Sequence, residues 1–488
     1  MRTDGVSQSL AGLQPEKVFK YFAEISAIPR DSHNEEAIAS YLCGFATKRG
    51  FDWRKDGMNN VLIHKKASAG YEDMPEIMLQ GHTDMVCAKN ENSTHDFKKD
   101  PLQLYIKDGW IRAKETTLGA DDGIAVAVML ALLDDDTIDH PSLSCLFTSA
   151  EEVGLLGAAA FDYIGIHAQI LINLDSEDEG VACVSCAGGI RGDLERNIRR
   201  RKPDSGENFY RLRWEGFLGG HSGIEINEGR TNAIRAMAFM LREPLCGGRI
   251  SLVSLDGGTL DNAIPRSCEA VISCRKTESD SVTAEMYRAA NNMKAGFSES
   301  DGYSAFTLSE ATPSDVMWEE DALAFATLLC DIPDGVLKMS PSIEGLVHTS
   351  SNMGIVRTTL DSVKLSVLAR SADDREQEQL MSEIKKWAEQ FEAVMTLSGE
   401  YPGWLYREDS KIRKQYCNVY RRLFGCDPKI EAIHAGLECG RIVHAMPWID
   451  AISIGPTMRY VHTTEEALEI ASVQRLWITL CEILSMKE

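Results

Sequence analysis

The sequence lacks an apolar run long enough to cross a membrane. Its longest such run, residues 124–133, has ten residues, whereas a helix needs about 20 to span a bilayer. Residues 1–22 contain no uncharged apolar core of the kind that a signal peptide requires. A membrane-spanning or secreted protein is therefore not expected, and the sequence favours a cytoplasmic location.

Positive charge is also scarce. Lys and Arg number 51 against 74 Asp and Glu, which leaves a formal net charge of −23 over 488 residues. Nucleic acids and anionic membranes are bound by positively charged surfaces, so neither is an expected partner. The acidic excess has two explanations, a solvated surface that aids solubility or carboxylates gathered around cations.

Cysteines show no pattern of a disulfide framework. The chain has thirteen of them, an odd number spread over its whole length, so neither disulfides nor a cysteine-based zinc site is expected. The rest of the composition, 44% apolar and 26% charged residues, is typical of a folded globular protein. The length corresponds to about three domain-sized units.

Helix and strand patterns alternate over residues 1–190. Ser32 and Glu35 have the spacing of a capping box, which predicts a helix start. The apolar segment 123–133 is too long for a typical strand and predicts a helix. Short apolar runs predict strands at 61–64, 76–79, 144–148 and 169–174. This order is typical of an α/β domain with a mostly parallel sheet.

Residues 191–398 follow a different pattern, in which two sets of a helix and a strand resemble each other. The predicted helices span 231–241 and 321–330, and Asn262 and Asn352 occupy comparable places in the two sets. The similarity suggests an α+β domain that is internally duplicated.

The α/β pattern returns after residue 398. We expect a helix at 411–424, a strand at 448–454 and a closing amphipathic helix at 465–486. The sequence therefore predicts one domain formed by 1–190 and 399–488, interrupted by a second domain at 191–398.

Acidic and imidazole side chains follow the predicted strands. His82 and Asp84 are two residues apart and so point to the same side of an extended segment. Glu151 and Glu152 directly follow an apolar strand, where adjacent carboxylates are unfavourable unless solvent or a cation separates their roles. Asp175 ends another apolar strand. Taken singly, each segment is more often an acidic turn or an ordinary histidine.

Asp121 and Asp122 precede the apolar helix, where helix capping is the ordinary explanation. Considered together, these segments indicate a binding site, because ligands of open α/β sheets bind beyond the carboxyl ends of the strands. Imidazole nitrogen and carboxylate oxygen without cysteine suit Zn²⁺, and also Mn²⁺ or Co²⁺. The set is large enough to hold two divalent metal ions with one bridging ligand.

Eight motifs, in order along nearly the whole chain, resemble those of the aminoacyl-histidine dipeptidases, also called Xaa-His or cytosol non-specific dipeptidases. That family belongs to the co-catalytic dizinc metallopeptidases, with aminoacylases, glutamate carboxypeptidases and tripeptide aminopeptidases. The motifs are IPRDSHNEEAIASYL, GHTDMV, TTLGADDG, SAEEVGLLGA, NLDSEDEG, GGHSGIEINEGRTNAI, HAGLECG and GPTMRYVHTTEE. The resemblance implies a zinc-exopeptidase-like catalytic domain, with the inserted domain as a lid that recognises substrate.

The resemblance also implies a set of metal ligands. His82 and Asp175 would bind one ion, Glu152 and His462 the other, and Asp121 would bridge both. One departure concerns His462, since the family usually has a Ser-Pro pair after this histidine and this chain has VHTTEE.

Three further residues receive catalytic roles from the resemblance. Asp84 would hydrogen-bond the far nitrogen of His82, as carboxylates behind metal ligands do. Glu151 would be the general base toward metal-activated water, and His221 the lid histidine that stabilises the oxyanion. A second departure is the Asp121-Asp122 pair, where relatives often carry Asp-Asn; Asp122 is expected only to cap.

Substrate binding requires groups for a free carboxylate and a free amine. Arg370 is the candidate for the carboxylate because of its planar donor fork. Asn262 and His434 are weaker candidates, and Glu438 could meet an α-ammonium.

The expected function is hydrolysis of unprotected dipeptides, Xaa-His-like or of broad specificity, with a small peptide as the partner. An N-acyl amino-acid amidohydrolase or a tripeptidase is the alternative, with the same metal ions and a different pocket. A non-catalytic metal-binding scaffold is disfavoured, because Glu151 and every ligand are present. A monomer and a homodimer are both compatible with the sequence.

Overall fold

The computed structural model describes residues 10–487, and the chain forms two compact units. Unit 1 comprises Met1–Cys186, Tyr406–Ala432 and Leu437–Glu488, and unit 2 comprises Ala187–Leu405 and Ile433–Gly436. The division predicted at 190/191 and 398/399, with a lid role for the insertion, stays a prediction. No signal peptide is expected in residues 1–22, and residues 1–9 of that segment lie outside the described range.

The helices and strands are numbered in chain order. The helices are α1 (Glu16–Ser26), α2 (Glu36–Arg49), α3 (Ala120–Leu133), α4 (Leu156–Ala160), α5 (Ala233–Cys246), α6 (Ser279–Lys294), α7 (Glu319–Asp331), α8 (Asp374–Gln390), α9 (Lys411–Phe424), α10 (Glu438–Ala445) and α11 (Ile470–Leu484). The strands of unit 1 before the insertion are β1 (Asp52–Lys55), β2 (Val61–Lys65), β3 (Ile77–His82), β4 (Leu104–Lys107), β5 (Trp110–Ala113), β6 (Leu143–Thr148), β7 (Ile170–Asn173) and β8 (Val181–Cys186).

Most of the remaining strands belong to unit 2. They are β9 (Gly188–Asn197), β10 (Arg200–Arg201), β11 (Glu207–Glu215), β12 (Gly220–His221), β13 (Ser251–Gly257), β14 (Ala263–Ile264), β15 (Cys268–Arg275), β16 (Ala305–Glu310), β17 (Val316–Met317), β18 (Gly335–Met339), β19 (Val347–Thr358), β20 (Ser362–Ser371) and β21 (Val394–Tyr401). The chain then adds β22 (Lys429–Ile433), β23 (Asp450–Ser453), β24 (Met458–Arg459) and β25 (Ala467–Glu469).

The main sheet of unit 1 has the strand order β1-β2-β6-β3-β7-β23-β8-β22. The pairs of β3 with β6, β3 with β7 and β7 with β23 are parallel. The pairs of β1 with β2, β2 with β6 and β8 with β23 are antiparallel. The predicted α/β class is confirmed, and parallel pairing is concentrated in the four central strands.

The parallel register sets the position of the acidic segments. His82 lies opposite Thr148, and Gln80 lies opposite Asn173. The residues that follow β3, β6 and β7 therefore emerge at the same edge of the sheet, where α/β folds bind ligands.

The predicted helix at 123–133 is confirmed as α3, and every residue of α3 is buried. A helix that is apolar on all sides needs this environment. Among the described residues, no helix combines the length and apolarity needed to cross a membrane.

Two local predictions need correction. α2 begins at Glu36 with Glu35 at its N-cap, three residues later than the predicted capping box at Ser32 and Glu35 would place it. Ser32 does not cap the helix, because its hydroxyl donates to Asp84 at 2.8 Å. The closing helix α11 begins at Ile470, five residues later than predicted. The residues before it form the loop at 463–466 and the short strand β25, which pairs with β5.

Unit 2 is built on a sheet with the order β16-β11-β15-β13-β19-β20-β9-β21, with β18 beside β19. The two predicted helices correspond to α5 and α7, whose apolar residues share one core with the sheet. The segment 347–358, which contains Asn352, is strand β19 throughout. Internal duplication stays a prediction.

Candidate metal centre

Five of the predicted ligands and catalytic carboxylates meet at the edge of the unit 1 sheet together with His462. Within residues 10–487, three groups of His, Asp and Glu place their ligand atoms within 4.8 Å of one another. The groups are His82–Asp121–Asp175, Asp121–Glu152–His462 and His82–Glu151–Glu152.

Asp121 belongs to two of these groups because its two carboxylate oxygens face different imidazoles. Oδ1 lies 2.9 Å from His82 Nε2, and Oδ2 lies 3.0 Å from His462 Nε2. Glu152 Oε2 is 3.0 Å from the same His462 nitrogen, and Asp175 Oδ1 is 3.6 Å from His82 Nε2. The arrangement can hold two cations that share one carboxylate.

The orientation of His82 leaves one ring nitrogen for a metal ion. Its Nδ1 lies 3.1 Å from the backbone oxygen of Asp84 and 3.5 Å from the Asp84 carboxylate. A carbonyl oxygen can only accept, so Nδ1 carries the hydrogen. Nε2 is therefore the nitrogen that faces Asp121 and is available as a ligand.

The Asp84 carboxylate has a further contact that sequence reasoning missed. It is completely buried and accepts hydrogen bonds from the backbone amides of Glu151, at 3.0 Å, and Glu152, at 3.3 Å. Glu35 holds the same loop by accepting from the Ala150 amide at 3.0 Å. Asp84 thus positions the loop of the two glutamates as well as His82.

Four carboxylates and two imidazoles make up these groups, so negative charge exceeds positive charge in this centre. Burial, assisted by nearby carboxylates, raises the pKa of Asp175 to about 7 and that of Glu151 well above its usual range. Hydrogen bonds with Asp121 and Glu152 raise the pKa of His462 to about 10. Burial opposes charge on His82, but the carboxylates around it still raise its pKa.

The donor set fits divalent metal ions. In the protein alone the excess carboxylates must share protons with one another and with the imidazoles, and cations would replace those protons. Nitrogen and carboxylate oxygen without thiolate suit Zn²⁺, Mn²⁺ and Co²⁺.

Asp122 does not cap α3 as expected, because its carboxyl accepts no amide of that helix and the N-cap position is Gly119. It is fully buried, and its Oδ2 accepts the backbone amide of His82 at 3.2 Å. Burial raises the pKa of Asp122 well above its usual range. The carboxyl therefore supports the end of β3.

Glu438, the candidate for an α-ammonium, lies in unit 1 and is also fully buried. Its Oε2 accepts from Gln80 Nε2 at 2.5 Å and from Thr148 Oγ1 at 2.7 Å. Its second oxygen, Oε1, has no hydrogen-bond partner. Burial raises the pKa of Glu438 to about 7.

The other substrate-binding candidates lie together in unit 2. β12 pairs with β14 so that His221 is opposite Ala263, and the Asn262 carbonyl accepts from the Ser222 amide at 2.8 Å. The His434 carbonyl approaches Gly223 so closely that a Cβ there would collide with it.

Arg370 and His434 share this region through β19 and β20. Arg370 is buried opposite Ser350, and its Nη1 donates to Tyr401 Oη at 2.6 Å. His434 Nε2 lies 2.7 Å from Ser350 Oγ. Burial and the Arg370 guanidinium lower the pKa of His434 to about 3.

His221 is held in one tautomer. Its Nδ1 accepts the backbone amides of Gly223, at 3.2 Å, and Ile224, at 3.1 Å. Burial, followed by Arg370, lowers the pKa of His221, which favours the neutral ring. The hydrogen therefore sits on Nε2, which becomes a donor.

Comparison with known proteins relates this centre to a family of peptidases. Residues 78–485 match the model of peptidase family M20/M25/M40. The chain is 37% identical to the cytosol non-specific dipeptidase of Escherichia coli (strain K12) over 476 residues, which cover 97% of this chain and 98% of the relative.

Solved structures show the same relationship. The crystal structure of aminoacylhistidine dipeptidase from Vibrio alginolyticus superposes with a TM-score of 0.93, at 36% identity and 97% coverage of both chains. A tripeptidase from Staphylococcus aureus superposes with a TM-score of 0.58 at 17% identity, covering 97% of this chain and 98% of its own. The second match concerns the fold alone.

Proposed function

Because the chain belongs to peptidase family M20/M25/M40, we propose that it hydrolyses the peptide bond of unprotected dipeptides with the help of two divalent metal ions. The observation that carries the proposal is the placement of Asp121, whose two carboxylate oxygens face His82 and His462 separately. A shared carboxylate between two nitrogen donors is what a bridged pair of metal ions requires.

The proposed ligands are divided between two ions. His82 and Asp175 would hold one ion, Glu152 and His462 would hold the other, and Asp121 would be a ligand of both. When bound, the ions lower the pKa of water and polarise the scissile carbonyl. Zn²⁺ is the proposed metal, and the same donors accept Mn²⁺ or Co²⁺.

Glu151 is the carboxylate that these assignments leave over, and we give it the role of general base. It takes a proton from the attacking water and passes it to the leaving amine, while the water oxygen joins the carbonyl carbon and the C–N bond breaks. Asp84 supports this role because it accepts the Glu151 amide at 3.0 Å.

Unit 2 is proposed to recognise the substrate and to act as the lid. His221 Nε2 donates to the developing oxyanion, and its fixed tautomer suits that role. Arg370 binds the free carboxylate through its planar fork. Asn262 and His434 are assigned to the same recognition surface. Glu438, which belongs to unit 1, is assigned to the α-ammonium.

Two measurements test the proposed function. Metal analysis of the purified protein should find two ions per chain after loading with Zn²⁺, Mn²⁺ or Co²⁺. Free dipeptides, including Xaa-His, should be cleaved far faster than N-acetylated dipeptides, C-amidated dipeptides or tripeptides. Equal cleavage of blocked substrates would favour the amidohydrolase alternative, and faster cleavage of tripeptides would favour a tripeptidase.

We further propose that the protein acts in the cytoplasm, where its cysteines stay reduced. Cell fractionation with an antibody tests the location. The oligomeric state is a separate measurement, since light scattering in solution distinguishes a monomer from a homodimer.

A further inference from the structure

Glu466 follows the proposed ligand His462 by four residues and is buried, with 3% of its surface exposed. We infer that Glu466 is a positioning residue, which holds the backbone turn that presents Asp121 to both metal sites. The inference rests on the proposed function, because Asp121 is the proposed bridging ligand.

The carboxylate of Glu466 collects four consecutive backbone amides. Oε2 accepts from Leu118 at 2.8 Å and Gly119 at 3.1 Å. Oε1 accepts from Ala120 at 2.8 Å and from Asp121 itself at 3.4 Å. Consecutive amides that point at one anion form a concave site for negative charge, so the carboxylate determines the path of this turn.

The turn needs such support because its conformation is unusual. Gly119 has a φ of 63°, in the left-handed region, and Asp121 and Asp122 are non-helical at the start of α3. The contact with Glu466 satisfies the amides of the turn in this conformation, in which the Asp121 carboxylate faces His82 and His462.

Arg30 holds the same turn through its carbonyl side. Its guanidinium is buried, and Nη2 donates to the Gly119 carbonyl. Nη1 donates to the carbonyls of Thr83, at 3.0 Å, and Asp84, at 3.2 Å. Arg30 therefore connects the turn before Asp121 to the segment after His82, and it supplies the positive charge that compensates Glu466.

Asp121 and the loop of His462 are connected in two ways, through a side chain and through a backbone amide. Asp121 Oδ2 lies 3.0 Å from His462 Nε2, and the backbone amide of Asp121 reaches Glu466 in the same loop as His462. Removing the Glu466 charge should leave all the ligand side chains present. The position of Asp121 relative to His82 and His462 should become less well defined. Substitutions of residues that hydrogen-bond to metal ligands typically weaken metal binding about 10-fold to 100-fold.

The neighbouring residue supplies a matched control. Glu465 is exposed, and its carboxylate lies 3.8 Å from Arg112 at the surface. Glu466→Gln and Glu465→Gln remove the same charge one residue apart. Competition for Zn²⁺ against a coloured chelator should show binding about 10-fold to 100-fold weaker in Glu466→Gln and unchanged in Glu465→Gln. The visible spectrum of the Co²⁺-loaded protein should change in Glu466→Gln alone.

A purely structural role would give a different result. Ile483→Ala removes a buried core side chain of the same unit, 2% exposed, and should lower the melting temperature without weakening Zn²⁺ binding in the folded protein. The inference is overturned if Ile483→Ala weakens binding as much as Glu466→Gln does, or if Glu466→Gln binds Zn²⁺ like the wild type.

Hydrogen exchange of the metal-free wild type supplies a test that requires no variant to fold. The amides of residues 118–121 should be protected, and rapid exchange there would contradict the inference. The proposed function fails separately, if the wild type binds no metal ion. If the wild type binds two ions and Glu466→Gln binds them equally well, the Glu466 inference alone fails.

Discussion

The histidines of the two candidate sites, His82 and His462 in unit 1 and His221 and His434 in unit 2, have pKa values shifted in opposite directions. Carboxylates around His82 and His462 in unit 1 raise the pKa of both imidazoles. In unit 2, burial and the Arg370 guanidinium lower the pKa of His221 and His434. Since the residue type is the same, the surrounding charge decides whether the ring carries a proton.

The two clusters differ in the charge that would complement them. The unit 1 cluster has carboxylates in excess and is stabilised by cations, as a metal centre would be. The unit 2 cluster combines a buried guanidinium with neutral imidazoles and therefore suits an anionic group of a substrate. The following predictions test this contrast, beginning with the largest expected effect.

Removing the metal ions should abolish hydrolysis. Dialysis against a strong chelator leaves the carboxylates of unit 1 without counter-ions, so the melting temperature should also fall, because ligand binding to the native state stabilises it. Assays and calorimetry before and after addition of two equivalents of Zn²⁺ check both effects. Full activity in a preparation shown to be metal-free would contradict the interpretation of the unit 1 cluster as a metal centre.

Glu151→Gln should lower kcat at least about 100-fold, the scale expected when a general base is lost, while two metal ions still bind. Single-turnover and metal analyses measure the two effects. Glu72→Gln, at an exposed glutamate of the same unit, is the control and should behave like the wild type. Near-normal turnover of Glu151→Gln would remove this residue from the mechanism.

His221→Gln should lower kcat about 100-fold with a smaller change in KM, since an oxyanion donor acts mainly in the transition state. His348→Gln is the control in the same unit, because His348 Nε2 faces Glu376 at 3.4 Å. Steady-state kinetics separates kcat from KM. An effect on KM alone would assign His221 to ground-state binding.

Arg370→Lys should raise KM for a free dipeptide about 10-fold, because an ammonium cannot reproduce the planar fork. The poor cleavage of a C-amidated dipeptide should be unchanged, since that substrate has no carboxylate to lose. Arg375→Lys, at an exposed arginine of the same unit, is the control. Equal losses with both substrates would mean that Arg370 supports the fold of unit 2.

The smallest effect concerns stability against acid. Because the pKa of His434 is about 3 in the folded protein, below its ordinary value of 6.5, the unfolded chain binds a proton first as the pH falls. This residue therefore destabilises the folded state progressively between about pH 6.5 and pH 3. Urea unfolding at pH 7 and pH 5 should show a smaller loss of stability in His434→Gln than in the wild type. An equal loss would show that His434 is not responsible.

Local patterns predicted the elements that frame the centre. The apolar run at 123–133 indicated α3, and short apolar runs indicated β3, β6 and β7. The helix starts were less predictable, since Ser32 contacts Asp84 rather than capping α2, and Glu466 precedes α11 instead of belonging to it. In both cases a distant polar group competes with the local helix signal.

The sequence was sufficient to identify the chemical groups that follow the strands. Apolar runs are a local pattern, so the end of each strand can be predicted from the residues around it. The tertiary structure alone decided that Asp121 lies between His82 and His462, that Asp84 holds the Glu151 loop, and that Glu466 holds the turn before Asp121. These contacts join segments up to 348 residues apart. They arise from parallel strand register and loop packing, which periodicity along one segment does not encode.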